Sequence, residues 1–290
     1  MPELPEVETV RLGLNRLLPD LVIKTVNCSN PKSFSSPSED IQTFLIGAKV
    51  RVVKRRAKVL LVELSSNYSL VIHLKMTGQL VFQGKNVHFG AGHPTASLTN
   101  QLPDKSTRVI FEFGDGSRLF FNDQRKFGWI RLIPTAEVPN IDFIKKFGPE
   151  PLEADFSWQI LQKQLQHRPK TNIKAALLDQ AVIAGVGNIY ADESLWGARI
   201  HPKTITSHLP ETKIKELHAA LVAVLRLSLK KGGSTDRNYV DAEGKKGNYL
   251  SFAKVFRLNG QPCQRCSTTI LKIRLAGRGT HFCPRCQRLR

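Results

Sequence analysis

Apolar residues recur at helical spacing near the start of the chain and predict an amphipathic helix over Glu3–Leu18. Beyond this helix, the pattern changes to short runs of β-forming residues separated by turn residues. These runs predict strands at Leu21–Val26, Val50–Val53, Val59–Leu64, Leu70–Leu74, Val109–Phe113, Leu119–Phe121 and Trp129–Ile133. Because no long helix separates the runs, the pattern favours a β-sandwich or a β-barrel.

A helical period replaces the strand pattern after a proline-rich linker over residues 134–152. The apolar spacing predicts helices at Phe156–Gln166, Asn172–Ala184, Asn188–Trp196 and Glu211–Lys230. Two polar segments that contain glycine, Gly84–Ser106 and Gly232–Asn248, are predicted to be loops. The expected domains are residues 1–133 for the strands, 153–252 for the helices and 253–290 for a small C-terminal module.

The formal net charge of +19, with a pI near 10.0, is more basic than solubility requires. Residues 254–290 hold nine Lys or Arg residues and no Asp or Glu. These charges favour a polyanionic partner, and nucleic acid fits better than a membrane surface because no basic amphipathic helix is predicted there. Because no apolar stretch reaches about 18 residues and no basic leader begins the chain, we expect a cytoplasmic protein without membrane partners.

Four cysteines in the C-terminal module have metal-ligand spacing. Cys263, Cys266, Cys283 and Cys286 form a C-x2-C-x16-C-x2-C pattern, which is typical of a four-thiolate zinc site. Two disulfides are the alternative, but a cytoplasmic location disfavours them. With all four ligands from protein, one Zn²⁺ would be structural, and the module is too short to fold without it. Cys28 is left over and is predicted to be a small buried residue.

The N-terminus offers a candidate nucleophile. Removal of Met1 would leave Pro2 as the first residue, and an α-amino group has a pKa of about 7.7–8.0 against about 10.4 for lysine. Such an amine can attack an electrophilic carbon and form a Schiff base, with Glu3 beside it to carry a proton. The alternative is that Pro2 and Pro5 only stiffen the first turn of a helix.

Three segments together carry a resemblance to a known family. They are the N-terminal Pro-Glu-Leu-Pro-Glu, Gly-Val-Gly-Asn-Ile-Tyr-Ala-Asp-Glu at residues 185–193, and the four-cysteine module that ends with His281-Phe282-Cys283-Pro284-Arg285-Cys286. In this combination the chain resembles the bacterial formamidopyrimidine-DNA glycosylases, which are base-excision repair enzymes. The resemblance implies an α+β multidomain fold. Its parts would be an N-terminal helix and β-sandwich, a helix–two-turns–helix domain and a C-terminal zinc finger, with damaged double-stranded DNA between the two lobes. The sequence shows no clear signal for an oligomer, so a monomer is expected.

The resemblance also implies roles for individual residues in the chemistry. Pro2 matches the family nucleophile, Glu3 its neighbouring acid or base, and Glu6 a supporting carboxylate. Lys58 matches a catalytic lysine at the start of a strand, and Arg278 the zinc-finger arginine that reaches the DNA backbone near the lesion. The implied reaction excises oxidised purines (8-oxoguanine and formamidopyrimidines) through a Schiff base. It then cuts the strand by β,δ-elimination, which makes the enzyme a hydrolase and an AP lyase.

Other positions match DNA contacts of the family. Met76, Arg125 and Phe127 match the side chains that fill the gap left by an everted nucleotide; we call these three residues the wedge. The matched phosphate contacts are Lys170, Lys174 and Asn188, with His73 as a further candidate. Where the family commonly has His before a strand, this chain has Ser106, so either Ser106 or Arg108 is expected to replace that DNA contact.

Several alternatives stay open from the sequence. Met76 and Phe127 could be core residues, Lys58 a solvated strand lysine, and His73 a half-buried histidine. The loop Gly232–Asn248 matches a segment that covers an everted purine, which favours the purine enzyme over an endonuclease VIII-type glycosylase for oxidised pyrimidines. A non-catalytic zinc-finger DNA-binding protein would explain the charge and the cysteines, but not Pro2-Glu3 with Lys58.

Overall fold

The computed structural model describes residues 2–93, 95–234 and 249–289. The chain forms two compact units, one of Met1–Lys145 with Lys231–Asn248 and one of Lys146–Lys230 with Tyr249–Arg290. The division after Lys145 lies inside the predicted linker. Most of the predicted loop Gly232–Asn248, from residue 235 onward, lies outside the described residues.

The first unit begins with helix α1 (Leu4–Leu17), one residue inside the predicted helix at each end. The strands of its described part are β1 Ile23–Cys28, β2 Val50–Arg56, β3 Val59–Leu64, β4 Tyr68–His73, β5 Gly78–Gln83, β6 His88–Gly92, β7 Thr107–Phe113, β8 Arg118–Asp123 and β9 Trp129–Pro134. Short helical turns lie at Pro31–Ser33, Ser38–Asp40, Ile41–Leu45, Ala96–Leu98, Thr135–Asn140 and Asp142–Lys145. Each of the predicted strands is present, with ends that differ by a few residues.

The strands form two antiparallel sheets that share one core, as the predicted β-sandwich requires. One sheet has the order β1-β7-β8-β5-β6 and the other β2-β3-β4-β9. Alternation along β7 buries Val109, Phe111 and Phe113 on one face of its sheet. These side chains pack in the same cluster as Leu14 of α1 and Leu60 of β3, so helix and both sheets form one hydrophobic core.

Strands β5 and β6 are absent from the sequence prediction, and β6 lies inside the predicted loop Gly84–Ser106. The sequence of β6, HFGAG, has weak strand propensity because glycine gives no side chain to pack. Tertiary contacts decide its structure: Gly92 has φ of +125°, and a Cβ there would lie 2.5 Å from the Gly78 carbonyl oxygen. Residues 95–106 then cover the outer face of the sheet, where Leu98 and Leu102 pack on Val81 and Phe120.

The second unit consists of helices and one β-hairpin. Its helices are α2 Trp158–Gln166, α3 Ile173–Leu178, α4 Asn188–Gly197 and α5 Glu211–Lys230, with short turns at Thr206–His208 and Tyr249–Phe252. The hairpin strands are β10 Leu271–Leu275 and β11 Arg278–Phe282. Apolar residues of all four helices, such as Leu161, Ile173, Leu195 and Leu221, form a second core. No helix within the described residues is long and apolar enough to cross a membrane.

Helix α3 is shorter than the predicted Asn172–Ala184. Asn172 is its N-cap and accepts a hydrogen bond from the Ala175 N–H at 2.9 Å. The helix ends after Leu178 because Asp179 adopts an extended conformation and its carboxylate accepts the Ala181 N–H at 2.9 Å. A side chain that bonds its own backbone two residues on competes with helix, which the apolar spacing could not show.

Helix α1 has one contact that a single substitution tests. Gly13 faces the ring of Phe89 in β6, and a Cβ at Gly13 would lie 2.0 Å from Cζ of that ring. We expect Gly13→Ala to lower the free energy of unfolding by about 1–3 kcal/mol through overpacking. In an uncrowded helix the same change would raise it by about 1 kcal/mol. Urea unfolding measures the difference, and Gly13→Ala combined with Phe89→Leu should recover most of the loss. Equal stability of Gly13→Ala and wild type would contradict the close packing.

Candidate functional site

The N-terminal residues are fixed by the first turn of α1. Glu3 is the N-cap with extended backbone, and the Glu3 N–H donates to Glu6 Oε2 at 2.8 Å in a capping box. Both carboxylates are buried, with 3% and 8% of their surface exposed. Pro5 occupies the first helical turn, whereas Pro2 lies before the cap and outside the helix. Stiffening of the first turn therefore accounts for Pro5 and not for Pro2.

Glu6 has a second partner from a distant part of the chain. Its Oε1 accepts a hydrogen bond from the Ser234 N–H at 2.6 Å. The neighbouring Gly233 has φ of +89°, and a Cβ there would lie 3.2 Å from Glu6 Oε1. The carboxylate predicted to be supporting therefore joins the N-terminus to the start of the segment predicted to cover a lesion.

Lys58 lies in the turn between β2 and β3 and is only 7% exposed, so the alternative of a solvated strand lysine is wrong. Arg55 holds this turn against α1: its Nε donates to Glu8 Oε2 at 2.9 Å and its Nη1 to the Ala57 carbonyl at 2.8 Å. The sequence analysis assigned no role to Glu8 or Arg55. Their opposite charges were visible, but their pairing depends on how the helix packs on the sheet.

His73 ends β4 and pairs with Val59, the residue after Lys58. Burial, with added repulsion from the Lys75 and Lys58 charges, lowers the pKa of His73 from 6.5 to about 3. The ring is therefore neutral at physiological pH. Its Nδ1 accepts the Lys75 N–H at 3.0 Å, which leaves the proton on Nε2. The position agrees with the alternative of a half-buried histidine. The neutral ring can still donate a hydrogen bond from Nε2.

The wedge residues lie on two turns. Met76 is half-buried in the turn between β4 and β5, and Phe127 is 54% exposed in the turn after β8. The Arg125 guanidinium is exposed and lies 4.9 Å from the centroid of the Phe127 ring. The alternative that Phe127 is a core residue is wrong, because a core position would exclude water from its ring.

The two candidate phosphate contacts at the start of β7 differ in their burial. Ser106 is 3% exposed, and its hydroxyl donates to Asp104 Oδ1 at 2.6 Å, so it serves the local fold and is not presented to solvent. Arg108 is half-buried, and its Nε donates to the Asp123 carbonyl at 2.8 Å. A phosphate contact by Ser106 does not fit this burial, whereas one by Arg108 stays a prediction.

In the second unit, Lys174 requires a correction. Its side chain has no exposed surface, and Nζ donates to Asp192 Oδ1 and, at 3.0 Å, to the Asn188 carbonyl. A direct phosphate contact by this ammonium does not fit a fully buried ion pair, because the charge is already neutralised away from water. Lys170, in contrast, is exposed in the turn before α3.

Two adjacent carboxylates of helix α4 hold the segments around the cysteine module. Neither carboxylate was predicted to have a role. Asp192 accepts the His281 N–H at 3.0 Å, and Glu193 accepts the backbone N–H groups of Lys254, Val255 and Phe256 at 2.8 to 2.9 Å. Burial raises the pKa of Glu193, although these backbone donors oppose the shift.

Two further predicted DNA contacts belong to the same region. At the start of α4, the Asn188 Nδ2 donates to the Gly279 carbonyl at 2.9 Å. Arg278 is exposed beside the hairpin turn of Ala276 and Gly277, which have φ of 49° and 70°. A two-residue turn with positive φ at both positions is favoured in hairpins.

The cysteine module fits a zinc ion. The sulfur atoms of Cys263, Cys266, Cys283 and Cys286 all lie within 4.8 Å of one another. Individual separations of 3.4 and 3.9 Å exceed the about 2.05 Å of a disulfide, and four thiolates around tetrahedral Zn²⁺ lie about 3.8 Å apart. The geometry therefore agrees with one structural zinc and not with the alternative of two disulfides.

Comparison with known proteins identifies the family. Residues 1–130 match the formamidopyrimidine-DNA glycosylase N-terminal domain, residues 147–239 its H2TH domain, and residues 260–289 the zinc finger found in FPG and IleRS. The chain belongs to the formamidopyrimidine-DNA glycosylase family. The predicted family, fold class, enzyme class and structural zinc are thereby confirmed.

Relatives in this family match over the whole chain. The formamidopyrimidine-DNA glycosylase of Desulforamulus reducens is 41% identical over 291 residues, which cover 99% of both chains. Two crystal structures of the Lactococcus lactis protein, each 35% identical, cover 99% of this chain and 100% of theirs. One is a mutant bound to DNA that contains Fapy-dG, with a TM-score of 0.87. The other is the wild type bound to DNA that contains an oxidized pyrimidine, with a TM-score of 0.86.

Removal of one zinc ligand tests the metal site. We expect Cys283→Ser to reduce bound zinc from one ion per chain to near zero, because Cys283 is a fully buried member of the cluster. Cys28→Ser is the matched control, since Cys28 lies in β1 of the first unit, outside the cluster, and should keep one ion. Elemental analysis of both purified variants measures this. Wild-type protein without zinc would contradict the assignment.

The half-buried, neutral ring of His73 predicts a pH dependence of stability. Below pH 6.5 an unfolded chain protonates this histidine, while the native pKa of about 3 keeps the folded ring neutral. The stability that the neutral His73 ring contributes is thus fully present above pH 6.5 and is lost as pH falls toward 3. Between pH 7.5 and 5.5 we expect His73 to account for a loss of about 1 kcal/mol. Urea unfolding of wild type and His73→Gln at both pH values should show that the variant loses less. An equal loss in both proteins would contradict a buried neutral ring.

Proposed function

We propose that this chain excises oxidised purines from duplex DNA through a Schiff base at Pro2 and then cleaves the strand by β,δ-elimination. The observation that carries the proposal is the position of Pro2, directly before a capped helix and outside it, beside the buried carboxylate of Glu3. A secondary amine at this point is a nucleophile held by a rigid element, which is what covalent catalysis requires.

The proposed bond changes follow from the chemistry of this amine. After removal of Met1, the Pro2 nitrogen attacks the anomeric carbon C1′, and the base departs with the electrons of the glycosidic bond. Glu3 protonates the sugar ring oxygen as the ring opens, and the loss of the nitrogen proton gives an iminium ion. The iminium acidifies the C2′ proton; its removal breaks the C3′–O bond, and a second elimination breaks the C5′–O bond. The product is a gap of one nucleotide.

Lys58 supports this chemistry electrostatically. A cation near the amine favours its neutral, nucleophilic form. The charge of Lys58 also contributes, after burial and Lys75, to the lowered pKa of His73 at the same end of the sheet, which supports this role. Glu6 supports the reaction indirectly, because its hydrogen bond to the Glu3 N–H holds the helix start.

A glycosidic bond is accessible only after the nucleotide leaves the base stack, at a cost of a few kcal/mol. The wedge suits this step because an exposed aromatic ring and a guanidinium lie together on one turn. An apolar side chain can enter between base steps, and arginine can bond an orphaned base. His73, Arg108, Lys170, Asn188 and Arg278 are the proposed contacts to the DNA backbone.

The proposed substrate class is supported by the net charge of the chain and by the names of its relatives. A net charge of +19 favours a polyanion, and relatives are named for formamidopyrimidine lesions. A second candidate is excision of oxidised pyrimidines, favoured by the Lactococcus lactis complex with oxidized-pyrimidine DNA.

We further propose that the protein acts as a monomer in the cytoplasm.

Borohydride trapping tests the nucleophile. We expect wild type to become covalently linked to a duplex that contains 8-oxoguanine, whereas Pro2→Gly should trap at least about a hundredfold less. Pro5→Ala is the matched control, because Pro5 lies in the helix and should leave trapping intact. Affinity for a duplex with a tetrahydrofuran abasic analogue should change little in both variants. Full trapping by a protein with a chemically blocked N-terminus would overturn the mechanism.

The same assay with a panel of lesions separates the two substrate candidates. Faster excision of 8-oxoguanine and formamidopyrimidines than of thymine glycol and dihydrouracil supports the purine proposal. The reverse order supports the pyrimidine enzyme. Salt-dependent binding without any trapping would instead indicate a DNA-binding protein that lacks the chemistry.

A further inference from the structure

One buried carboxylate joins the two turns that carry the wedge. Asp123 has no exposed surface and ends β8, where it pairs with Gly78 at the start of β5. Its Oδ1 accepts from the Thr77 hydroxyl, beside Met76, and from the Arg125 N–H at 3.1 Å. Its Oδ2 accepts the Gly128 N–H at 2.6 Å. Asp123 therefore closes the turn of Arg125 and Phe127 and ties it to the turn of Met76.

The backbone of Asp123 is fixed as well. Its N–H donates to the Ser106 carbonyl at 2.8 Å, and its carbonyl accepts from Arg108 Nε at 2.8 Å. The carboxylate therefore has a defined place in the sheet from which it can position the turns. The Arg125 N–H also donates to Thr77 Oγ1 at 3.1 Å, so Thr77 links both turns directly.

Close packing under the turn leaves little freedom for another arrangement. A Cβ at Gly128 would lie 2.7 Å from the Phe121 ring and 3.1 Å from Asp123 Oδ2. Lys126 has φ of 59°, a left-handed conformation that costs a lysine about 1–2 kcal/mol and persists where surrounding bonds impose it. The hydrogen bonds of Asp123 to the residues on either side of Lys126 supply that constraint.

The exposed wedge side chains depend on this backbone for their placement. Phe127 is 54% exposed, so few packing contacts hold it, and its ring pairs with the Arg125 guanidinium on the same turn. A functional side chain must be held within about 0.5 Å by its supporting residues to act efficiently. The polar support here centres on Asp123, with Thr77 as the link between the two turns.

We propose that Asp123 is a positioning residue for DNA distortion: it sets the relative position of Met76 and the Arg125–Phe127 pair, so that both enter the duplex together. This inference rests on the proposed function. No sequence pattern pointed to Asp123, because its link to the turn of Met76 runs through Thr77, which lies 46 residues away in the chain.

Asp123→Asn tests the inference with almost no change in volume. An asparagine amide must direct its NH₂ group toward either the Gly128 N–H or the Thr77–Arg125 donors, so one donor loses its acceptor. We expect base eversion, followed by 2-aminopurine fluorescence beside the lesion, and excision to slow by about ten- to a hundredfold. Cleavage of a preformed abasic site in single-stranded DNA, which needs no wedge, should stay within about twofold of wild type.

Asp115→Asn is the matched control. Asp115 lies in the turn at the other end of β8 and accepts the Ser117 N–H at 2.9 Å and the Ser117 hydroxyl at 2.6 Å. It has the same kind of local bonding without a link to the wedge, so eversion and excision should be unchanged. Equal slowing by both substitutions would show a general effect on the sheet and overturn the inference.

A double-mutant cycle shows whether Asp123 acts through the wedge. In a chain with Arg125→Ala and Phe127→Ala, the further change Asp123→Asn should slow excision by less than about twofold. The same slowing in both backgrounds would overturn the inference. If thermal unfolding shows that Asp123→Asn does not fold, Thr77→Val removes only the linking hydroxyl, and it should slow eversion while single-strand cleavage persists. Wild-type rates in Thr77→Val would then overturn the link.

The two proposals fail in different ways. Absence of excision by wild type on every lesion would overturn the proposed function. Normal excision by wild type together with unchanged eversion in a folded Asp123→Asn variant would overturn the positioning role alone.

Discussion

The hydrogen bond from the Glu3 N–H to Glu6 Oε2 determines where α1 begins, and the proposed reactive end of the chain depends on it. A helix leaves its first N–H groups without internal partners, so a buried helix start requires acceptors from side chains. Glu6 supplies one oxygen to the cap and the other to the Ser234 N–H. The same carboxylate thus holds the helix start after Pro2 and fixes Ser234, where a distant part of the chain reaches the N-terminus.

Buried carboxylates are used repeatedly in this way. Glu6 and Glu193 each accept backbone N–H groups from segments distant in sequence, and Asp192 combines such a bond with an ion pair to Lys174. Asp123 accepts backbone N–H groups of its own turn together with the hydroxyl of the distant Thr77. A buried carboxylate needs several donors, and backbone N–H groups supply them without adding positive charge. In a chain with 43 basic and 24 acidic residues, acids used internally leave the basic surface less neutralised.

The cysteine module has little core of its own and depends on its attachments. Its apolar cluster consists of Val255, Ile270, Cys263 and Cys283, with few partners. Besides the metal, α4 stabilises the module: the Arg265 guanidinium lies 3.8 Å from the centroid of the Trp196 ring and donates to the Trp196 carbonyl at 3.0 Å. Metal and helix together therefore replace the hydrophobic core that so short a segment lacks.

Features that depend on local order along the chain were predictable from the sequence. Apolar spacing predicted helices such as Glu211–Lys230 and strands such as Val59–Leu64 with their bounds, and cysteine spacing predicted the zinc site. These predictions succeed because hydrophobic period and ligand spacing are properties of neighbouring residues. The motifs around Pro2 and Phe127 likewise indicated two candidate functional residues, and both lie outside the core elements.

Features that depend on partners distant in the chain became visible only in the folded protein. Strand β6 forms despite its glycines because it packs closely against Gly78 and against α1. Lys174 is buried in an ion pair with Asp192, and Ser106 is hydrogen-bonded to Asp104. Neither was predictable, because burial is set by packing and not by residue type. The role of Asp123 was invisible for the same reason: Arg125 and Gly128 are its neighbours in the chain, but only the pairing of β5 with β8 brings Thr77 to the same carboxylate.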